Sequence, residues 1–304
     1  VTGVQTCALP IFTECATITC KALEDRSKTE VCNKYKSLYV KKFKGTCHKK
    51  GSSTCALGTH ASGDYTDAVN RINFYRYLCG LGTMKKSTQA NIIKQENQAC
   101  TIMQANNVFS HSLSSSLKCY TSGGATAASS SNIYWYSGTA CAADSISCYM
   151  DDTGVDSLGH RRWLMLPSLS ELAIGVNGHY SAVRVFGSGF IRKGTKKPVI
   201  LAYPPPGPVP VDLIYKEWSF SRQFNNKNSN VHNMPSDTTV SIKCGSKAIS
   251  IKSKKLYNEN TAMYSGIIKF IPSRLPKAGE TFTVTISSKK AGTTWKYAVK
   301  AVRC

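Results

Sequence analysis

Two short segments, each built around one histidine, are the strongest candidates for chemistry in this sequence. The first is residues 107–112 (NVFSHS) and the second is residues 158–167 (LGHRRWLMLP). A neutral imidazole can ligate a metal ion, act as a general base or hydrogen-bond a ligand. Because small and polar residues flank His111 and His160, we predict that these two histidines belong to one folded site.

The spacing of apolar residues predicts the elements that position these histidines. Apolar side chains recur every three or four positions over residues 69–79, which predicts a helix, and a second helix after Ser87-Thr88 is marked by Ile92, Ala99, Cys100 and Met103. Residues 114–131 are rich in Ser, Ala and Gly and are predicted to be a loop. Strands are predicted at residues 173–176 and 182–186. Helices followed by strands in one region indicate an α+β fold, layered helix on sheet.

The C-terminal third shows the period of two that is typical of strands. Residues 281–286 alternate between apolar and polar side chains, and residues 295–301 alternate beyond a Lys-Lys-Ala-Gly turn, which predicts a hairpin with one buried face. Further strands are predicted at residues 239–242, 248–251 and 266–271. These short strands predict a C-terminal all-β domain, an immunoglobulin-like or fibronectin-like sandwich.

A proline-rich stretch precedes these strands. The longest apolar run, residues 199–214, contains five prolines, so we do not expect a membrane span. Proline fixes φ and lacks an N–H donor, so residues 203–208 are predicted to be an extended linker between folded units. The predicted domains are therefore residues 61–205, and residues 206–304 with the linker.

The cysteine content predicts disulfide bonds. The chain has 13 cysteines, and 12 remain without Cys7, which lies in a segment, residues 1–11, that resembles a translated sequencing adapter. No CxxC pair is present, so disulfides in an oxidising, extracellular compartment are favoured over zinc. Five cysteines lie in a Cys-rich N-terminal module, residues 12–60, and five in the next domain, so full pairing needs at least one bridge between them. The last two, Cys244 and Cys304, are predicted to pair with each other.

The chain is strongly basic. Its formal net charge is +22, and residues 206–304 hold half of this excess, with 16 Lys and Arg against 5 Asp and Glu. A positive field favours anionic partners, here an acidic glycan or an anionic lipid surface. Nucleic acid is not predicted as a partner, because the sequence contains no recognisable nucleic-acid motif.

Residues 66–186 resemble a CAP domain, the domain of cysteine-rich secretory proteins, antigen 5 and pathogenesis-related proteins. The resemblance covers about two fifths of the chain and rests on the order and spacing of several segments rather than on one motif. The segments are residues 68–81, 107–111, 131–133, 159–162 and 174–176. The proline-rich stretch also resembles the tail that joins some CAP domains to a β-sandwich.

This resemblance implies a CAP-type α-β-α sandwich whose cleft is lined by two histidines and two acidic residues. By motif the histidines are His111 and His160, and two neutral imidazoles that face each other can hold zinc. We expect the protein to require no cofactor, and zinc is an optional ligand of this cleft. Hydrolysis would also need a carboxylate close enough to accept a proton from an activated water.

The acidic residues depart from the family pattern. Ser131, which precedes Asn132, occupies the position of the first carboxylate. The second carboxylate would come from Asp144, or from Asp151 or Asp152. The loss of one carboxylate argues against metal-assisted chemistry and favours binding.

Three functions are compatible with the sequence. The leading prediction is a secreted, non-catalytic CAP protein that binds an extracellular lipid, such as a sterol, or a surface glycan. Its predicted cleft consists of His111, His160, Ser131, Asn132 and Asp144. The alternatives are a metal-dependent extracellular hydrolase that uses the two histidines, and a structural or adhesive surface protein.

Overall fold

The computed structural model describes residues 18–139, 141–187, 199–223, 233–258 and 266–304. Helices and strands both contribute to it, which confirms the α+β class. The helices are α1 (Ile18–Glu24), α2 (Lys28–Lys34), α3 (Ser62–Leu78), α4 (Ala90–Asn106), α5 (Ser122–Ser129), α6 (Ala142–Asp151) and α7 (Gly159–Leu164), with a π-helical turn at Tyr35–Val40 and a 3-10 turn at Val211–Leu213.

The strands form two larger sheets, one three-stranded sheet and two short pairs. They are β1 (His48–Lys49), β2 (Thr59–His60), β3 (Lys85–Lys86), β4 (Ser131–Trp135), β5 (Glu171–Leu172), β6 (Ile174–Asn177), β7 (Tyr180–Arg184), β8 (Val199–Tyr203), β9 (Gly207–Pro210), β10 (Trp218–Gln223), β11 (Thr239–Cys244), β12 (Lys247–Ile249), β13 (Ile251–Tyr257), β14 (Ile267–Pro272), β15 (Thr281–Ser288) and β16 (Thr293–Val302).

Helices cover both faces of the antiparallel sheet β4-β7-β6. Successive strand residues point to opposite faces. On β7, Tyr180 and Ala182 therefore pack with apolar residues of α4 and α5, whereas Val183 joins the cluster that contains α3 and α6. Gly175 on β6 allows α4 to come close, because a Cβ there would lie 2.1 Å from the backbone of Glu96.

The predicted helices and strands of this region are confirmed as α3, α4, β6 and β7, but the predicted loop was wrong in part because it contains α5. The Thr121 side chain caps α5 by accepting a hydrogen bond from the Gly124 N–H at 3.0 Å. Small residues then let α5 lie directly on α4, with Ala127 and Ala128 fully buried. Such a helix has almost no large apolar residues, so its sequence lacks the usual periodic signal.

Two sheets make up the C-terminal region, with strand orders β13-β14-β10-β8 and β12-β11-β15-β16-β9. The predicted hairpin is confirmed as β15 and β16, in which Phe282 lies opposite Val299. Aromatic rings fill the space between the sheets: the Trp218 ring lies 6.1 Å from that of Phe282, and the Phe220 ring lies 5.4 Å from that of Trp295. The C-terminal third is therefore a β-sandwich.

The predicted linker is part of this sandwich. Strand β8 pairs with β10, and β9 runs parallel to β16 with Gly207 opposite Val299. Pro208 and Pro210 are tolerated because β9 is an edge strand, where a missing N–H donor costs little. Within the described ranges, no helix is both long enough and apolar enough to cross a membrane.

The disulfides confirm one prediction and contradict another. Cys47–Cys141 and Cys55–Cys119 join the N-terminal module to the next region, as predicted. Cys304 bonds to Cys32 instead of Cys244, which is a free thiol. Strand β15 separates β11 from β16, so Cys244 lies two strand spacings, roughly 9.5 Å, from β16. That distance exceeds the roughly 7 Å limit between the Cα atoms of a disulfide.

All three described disulfides have one cysteine in the N-terminal module. Helices α1 and α2 contact the edge strand β9, and Glu24 accepts a hydrogen bond from the Ala298 N–H at 2.7 Å. The condition of full pairing is not met, because Cys79, Cys100, Cys148 and Cys244 are free thiols.

Replacement of Cys32 and Cys304 by serine is expected to destabilise the chain by about 2–5 kcal/mol, because the disulfide closes a very long loop. Chemical denaturation under non-reducing conditions measures this loss. Cys244→Ser is the matched control and is expected to change the free energy of unfolding by less than about 1 kcal/mol. Equal losses in the two proteins would contradict the assigned pairing.

Candidate functional site

A cavity of about 580 Å³ opens where the C-terminal ends of α4 and α6 meet β4. Its volume is typical of small-molecule sites, which span roughly 300–1,000 Å³. Five of the thirteen lining side chains are aromatic, so the wall is mainly a surface of rings. The lining residues are Asn107, Phe109, Ile133, Tyr134, Trp135, Cys148, Tyr149, Asp151, Asp152, Thr153, Val155, His160 and Tyr180.

His160 is the best-positioned polar group of the cavity. Its Nδ1 lies 2.8 Å from Asp152 Oδ1, and the other oxygen of Asp152 accepts a hydrogen bond from the Arg161 N–H at 3.1 Å. The imidazole also lies against Tyr149, with ring centroids 5.2 Å apart. The Asp152 side chain is 1% exposed and that of His160 is 27% exposed. The carboxylate thus holds Nδ1 and leaves Nε2 available to a ligand.

Two helices end at this cavity, each at a residue with a left-handed backbone conformation. Asn107 follows α4 and Asp152 follows α6, and both adopt the left-handed conformation, with φ of 48° and 52°. Asn and Asp enter this region more readily than other non-glycine residues. The two helices therefore stop on polar side chains that line the cavity.

The aromatic wall is partly fixed and partly exposed. The buried Tyr149 hydroxyl donates a hydrogen bond to the Asn132 carbonyl at 2.9 Å, and burial holds the pKa of Tyr149 well above its ordinary value. Phe109 and Trp135, in contrast, are 55% and 48% exposed. The wall is therefore buried beside His160, at Tyr149, and exposed to solvent at its edge, at Phe109 and Trp135.

Cys148 places a thiol on this wall. Its Sγ lies 3.4 Å from the Tyr134 hydroxyl oxygen. Burial, followed by the hydrogen bond to Cys148, raises the pKa of Tyr134, so this phenol is neutral at physiological pH. The cysteine predicted to form a disulfide is instead a hydrogen-bonding member of the cavity lining.

Among the described residues, the cavity lining holds no compact set of three metal ligands. No three ligand atoms of its His, Cys, Asp or Glu side chains lie within 4.8 Å of one another. In the described part of the chain such a group is formed by Cys47, Asp64 and Cys141, but its two sulfurs are bonded to each other.

His111 lies outside the cavity lining. It is exposed, and its Nδ1 lies 2.7 Å from the Ala128 carbonyl oxygen in α5. The structure therefore does not place the two predicted histidines in one cavity. The reason is α5, which the sequence did not reveal and which holds the His111 ring.

Ser131 and Asn132 are buried behind the cavity wall. The Ser131 hydroxyl donates a 2.6 Å hydrogen bond to Glu96 Oε2, and Arg184 Nε donates another of 2.6 Å to Glu96 Oε1. A carboxylate thus contacts Ser131, but from α4 and away from the lining. Asn132 Nδ2 donates to the His160 carbonyl at 3.1 Å and so supports the position of His160.

Asp144 pairs with Arg71 at 2.9 Å, has a side chain that is 57% exposed and is not part of the lining. Asp152, one of the alternatives, contacts His160 instead. Tyr149, Val155 and the thiol of Cys148 were missed by the sequence analysis. The run of aromatic residues at 134–136 was the only signal that could have indicated the wall, since the other contributors are distant in the chain.

Comparisons with protein-family models, with curated proteins and with solved structures gave no match to this chain. The resemblance to CAP domains therefore rests on the sequence segments given above.

The buried cluster behind the wall predicts a pH-dependent stability. Burial raises the pKa of Glu96 to about 7 from an ordinary value of 4.5. Between these pH values the folded state holds more protons than the unfolded state, so the Glu96 contribution to the free energy of unfolding falls as pH rises from about 4.5 to about 7.

Glu96→Gln removes this titration but keeps an acceptor for Ser131. We expect the wild type to lose stability relative to the variant across that pH range in urea unfolding. A difference between the two proteins that is constant with pH would contradict the raised pKa.

Proposed function

We propose that this chain is a secreted, non-catalytic CAP-type protein that binds a small amphipathic lipid, with a sterol as the leading class, in the cavity beside His160. The observation that carries the proposal is the lining: five aromatic rings with Ile133 and Val155 surround about 580 Å³ of space. Apolar walls with a few placed polar groups are typical of small-molecule sites.

The polar groups of the cavity suit a ligand that has one polar end. Nε2 of His160 can exchange a hydrogen bond with a hydroxyl, because its partner nitrogen is held by Asp152. Thr153 donates to Asp151 Oδ1 at 2.6 Å, which adds a second polar group to the lining. A sterol hydroxyl or a fatty-acid carboxyl would meet these groups, while its hydrocarbon part contacts the rings.

The geometry favours binding over hydrolysis. A hydrolase would need a nucleophile or an activated water next to His160. In the described residues the imidazole is paired with a carboxylate, but no third ligand atom lies within 4.8 Å of both groups to complete a three-ligand metal site there. We therefore rank the metal-dependent hydrolase below the binding protein.

Two structural features support the family and the location. Helices lie on both faces of the sheet β4-β7-β6, as a CAP-type α-β-α sandwich requires, and the following β-sandwich is compatible with an immunoglobulin-like domain. The described residues form three disulfides, which are typical of proteins that fold in an oxidising compartment. These features support a secreted CAP protein.

Val155→Trp tests the cavity, because the larger ring would occupy the space proposed for the lipid. Energy transfer from tryptophan to dehydroergosterol, at concentrations below sterol micelle formation, measures binding. We expect the variant to bind at least about tenfold more weakly, since the lost contact removes apolar burial from the complex. Val40→Trp is the matched control, because Val40 is 49% exposed on the π-helical turn and is not part of the lining.

Wild-type chain that binds neither dehydroergosterol nor the fluorescent fatty acid cis-parinaric acid would reject the lipid proposal. Equal affinity in wild type and Val155→Trp would place the ligand elsewhere. Binding of a soluble surface glycan in place of both probes would favour the adhesive alternative.

A further inference from the structure

The most exposed aromatic side chains of the described residues all lie at the cavity. Phe109, Tyr136 and Trp135 are 55%, 49% and 48% exposed, and we call these three residues the aromatic rim. Phe109 and Trp135 line the cavity, and the Tyr136 ring stacks on Tyr134, another lining residue, with centroids 6.3 Å apart. Apolar rings in water are costly, so their concentration at one opening indicates a surface that is covered by a partner.

A strand with three exposed lysines lies next to the same cavity. Strand β13 is the edge strand of its sheet, and Lys252, Lys254 and Lys255 on it are exposed; we call it the lysine strand. It adjoins the cavity at Asp156, the neighbour of the lining residue Val155. Lys255 pairs with Asp156 at 3.0 Å.

Another lysine, more buried than Lys255, also contacts this part of the cavity edge. Lys269, on the neighbouring strand β14, contacts the Val155 carbonyl at 3.4 Å and pairs with Glu217 at 3.0 Å. Val155 itself lines the cavity. The lysine strand is therefore continuous with the cavity edge and is not a remote surface.

We propose that the aromatic rim and the lysine strand dock this chain on an anionic lipid bilayer, with the cavity opening near the membrane. The inference rests on the proposed lipid ligand and adds where that ligand is acquired. Tyr and Trp place an apolar ring and a polar tip at a membrane interface, and phenylalanine adds apolar area. Each lysine near an anionic surface contributes about 1 kcal/mol.

The choice of a bilayer follows from this combination. The chain carries a net charge of +22, and the two surface features supply cations and amphipathic rings side by side. An acidic glycan would use the lysines but would leave the exposed Phe109 ring without a partner. A bilayer surface provides both anionic headgroups and an apolar layer beneath them.

Vesicle flotation of the full, oxidised chain tests the proposal. We expect binding to vesicles of phosphatidylcholine mixed with phosphatidylserine, weaker binding to phosphatidylcholine alone, and a decrease at high salt because screening reduces attraction between exposed charges. Lys252→Gln/Lys255→Gln should reduce partitioning about fivefold for each lysine. Lys277→Gln/Lys289→Gln, two exposed lysines elsewhere on the sandwich, is the matched control.

The contribution of the aromatic rim to vesicle binding is tested at Tyr136, the rim residue that does not line the cavity. Tyr136→Ala should lower vesicle binding several-fold, by the loss of one interfacial ring, and should leave binding of soluble dehydroergosterol unchanged. Phe43→Ala, which removes a ring that is 37% exposed in the N-terminal module, should have little effect on vesicle binding. Val155→Trp should show the reverse pattern, with sterol binding lost and vesicle binding retained.

These variants separate the two proposals. Sterol binding without flotation on anionic vesicles would overturn the docking surface and leave the lipid function intact. Flotation without sterol binding would support the docking surface and reject the cavity ligand. Equal losses in the rim variant and the Phe43 control, or heparin binding through Lys252 and Lys255 in the absence of vesicle binding, would overturn the bilayer proposal.

Discussion

The cavity depends first on the carboxylate of Asp152. One oxygen accepts a hydrogen bond from His160 Nδ1 and the other from the Arg161 N–H, so a residue that ends α6 fixes the first turn of α7. Because this carboxylate is almost fully buried, its loss would leave two donors without a partner, a cost of about 1–3 kcal/mol for each buried group. The left-handed backbone of Asp152 is what turns the chain back to make both contacts.

Arg161, the residue after His160, connects this part of the cavity to the β-sandwich. Its Nε donates to the Met150 carbonyl at 2.7 Å, and its NH1 group donates to the Glu217 carbonyl at 2.8 Å. Its guanidinium also lies 4.7 Å from the centre of the Tyr203 ring at the end of β8. A buried arginine with several carbonyl partners has a fixed position, because each N–H needs an acceptor once water is removed. Arg161 therefore joins the cavity to the sandwich at Tyr203, the first residue of the predicted linker, and at Glu217, which directly precedes β10.

The sequence predicts those elements whose own residues carry a buried face. Helices α3 and α4 and the hairpin β15–β16 were predicted because apolar side chains recur along each of them. Helix α5 was not, since its glycines and alanines become a packing face only against α4. The partner of Cys304 was also beyond the sequence, because it depends on the spatial order of strands that are distant in the chain.

The residues of the candidate site show the same difference between features carried by a local segment and features that depend on distant neighbours. His160, a predicted cleft residue, lines the cavity, and Asp152 was one of three candidates for the acid. His111 has an equally promising sequence context, yet its imidazole contacts the α5 backbone, whereas that of His160 contacts a carboxylate and an aromatic ring. A histidine motif therefore specifies a local turn, and the neighbours supplied by the fold decide its chemistry. For His160 those neighbours are one buried acid and one aromatic ring.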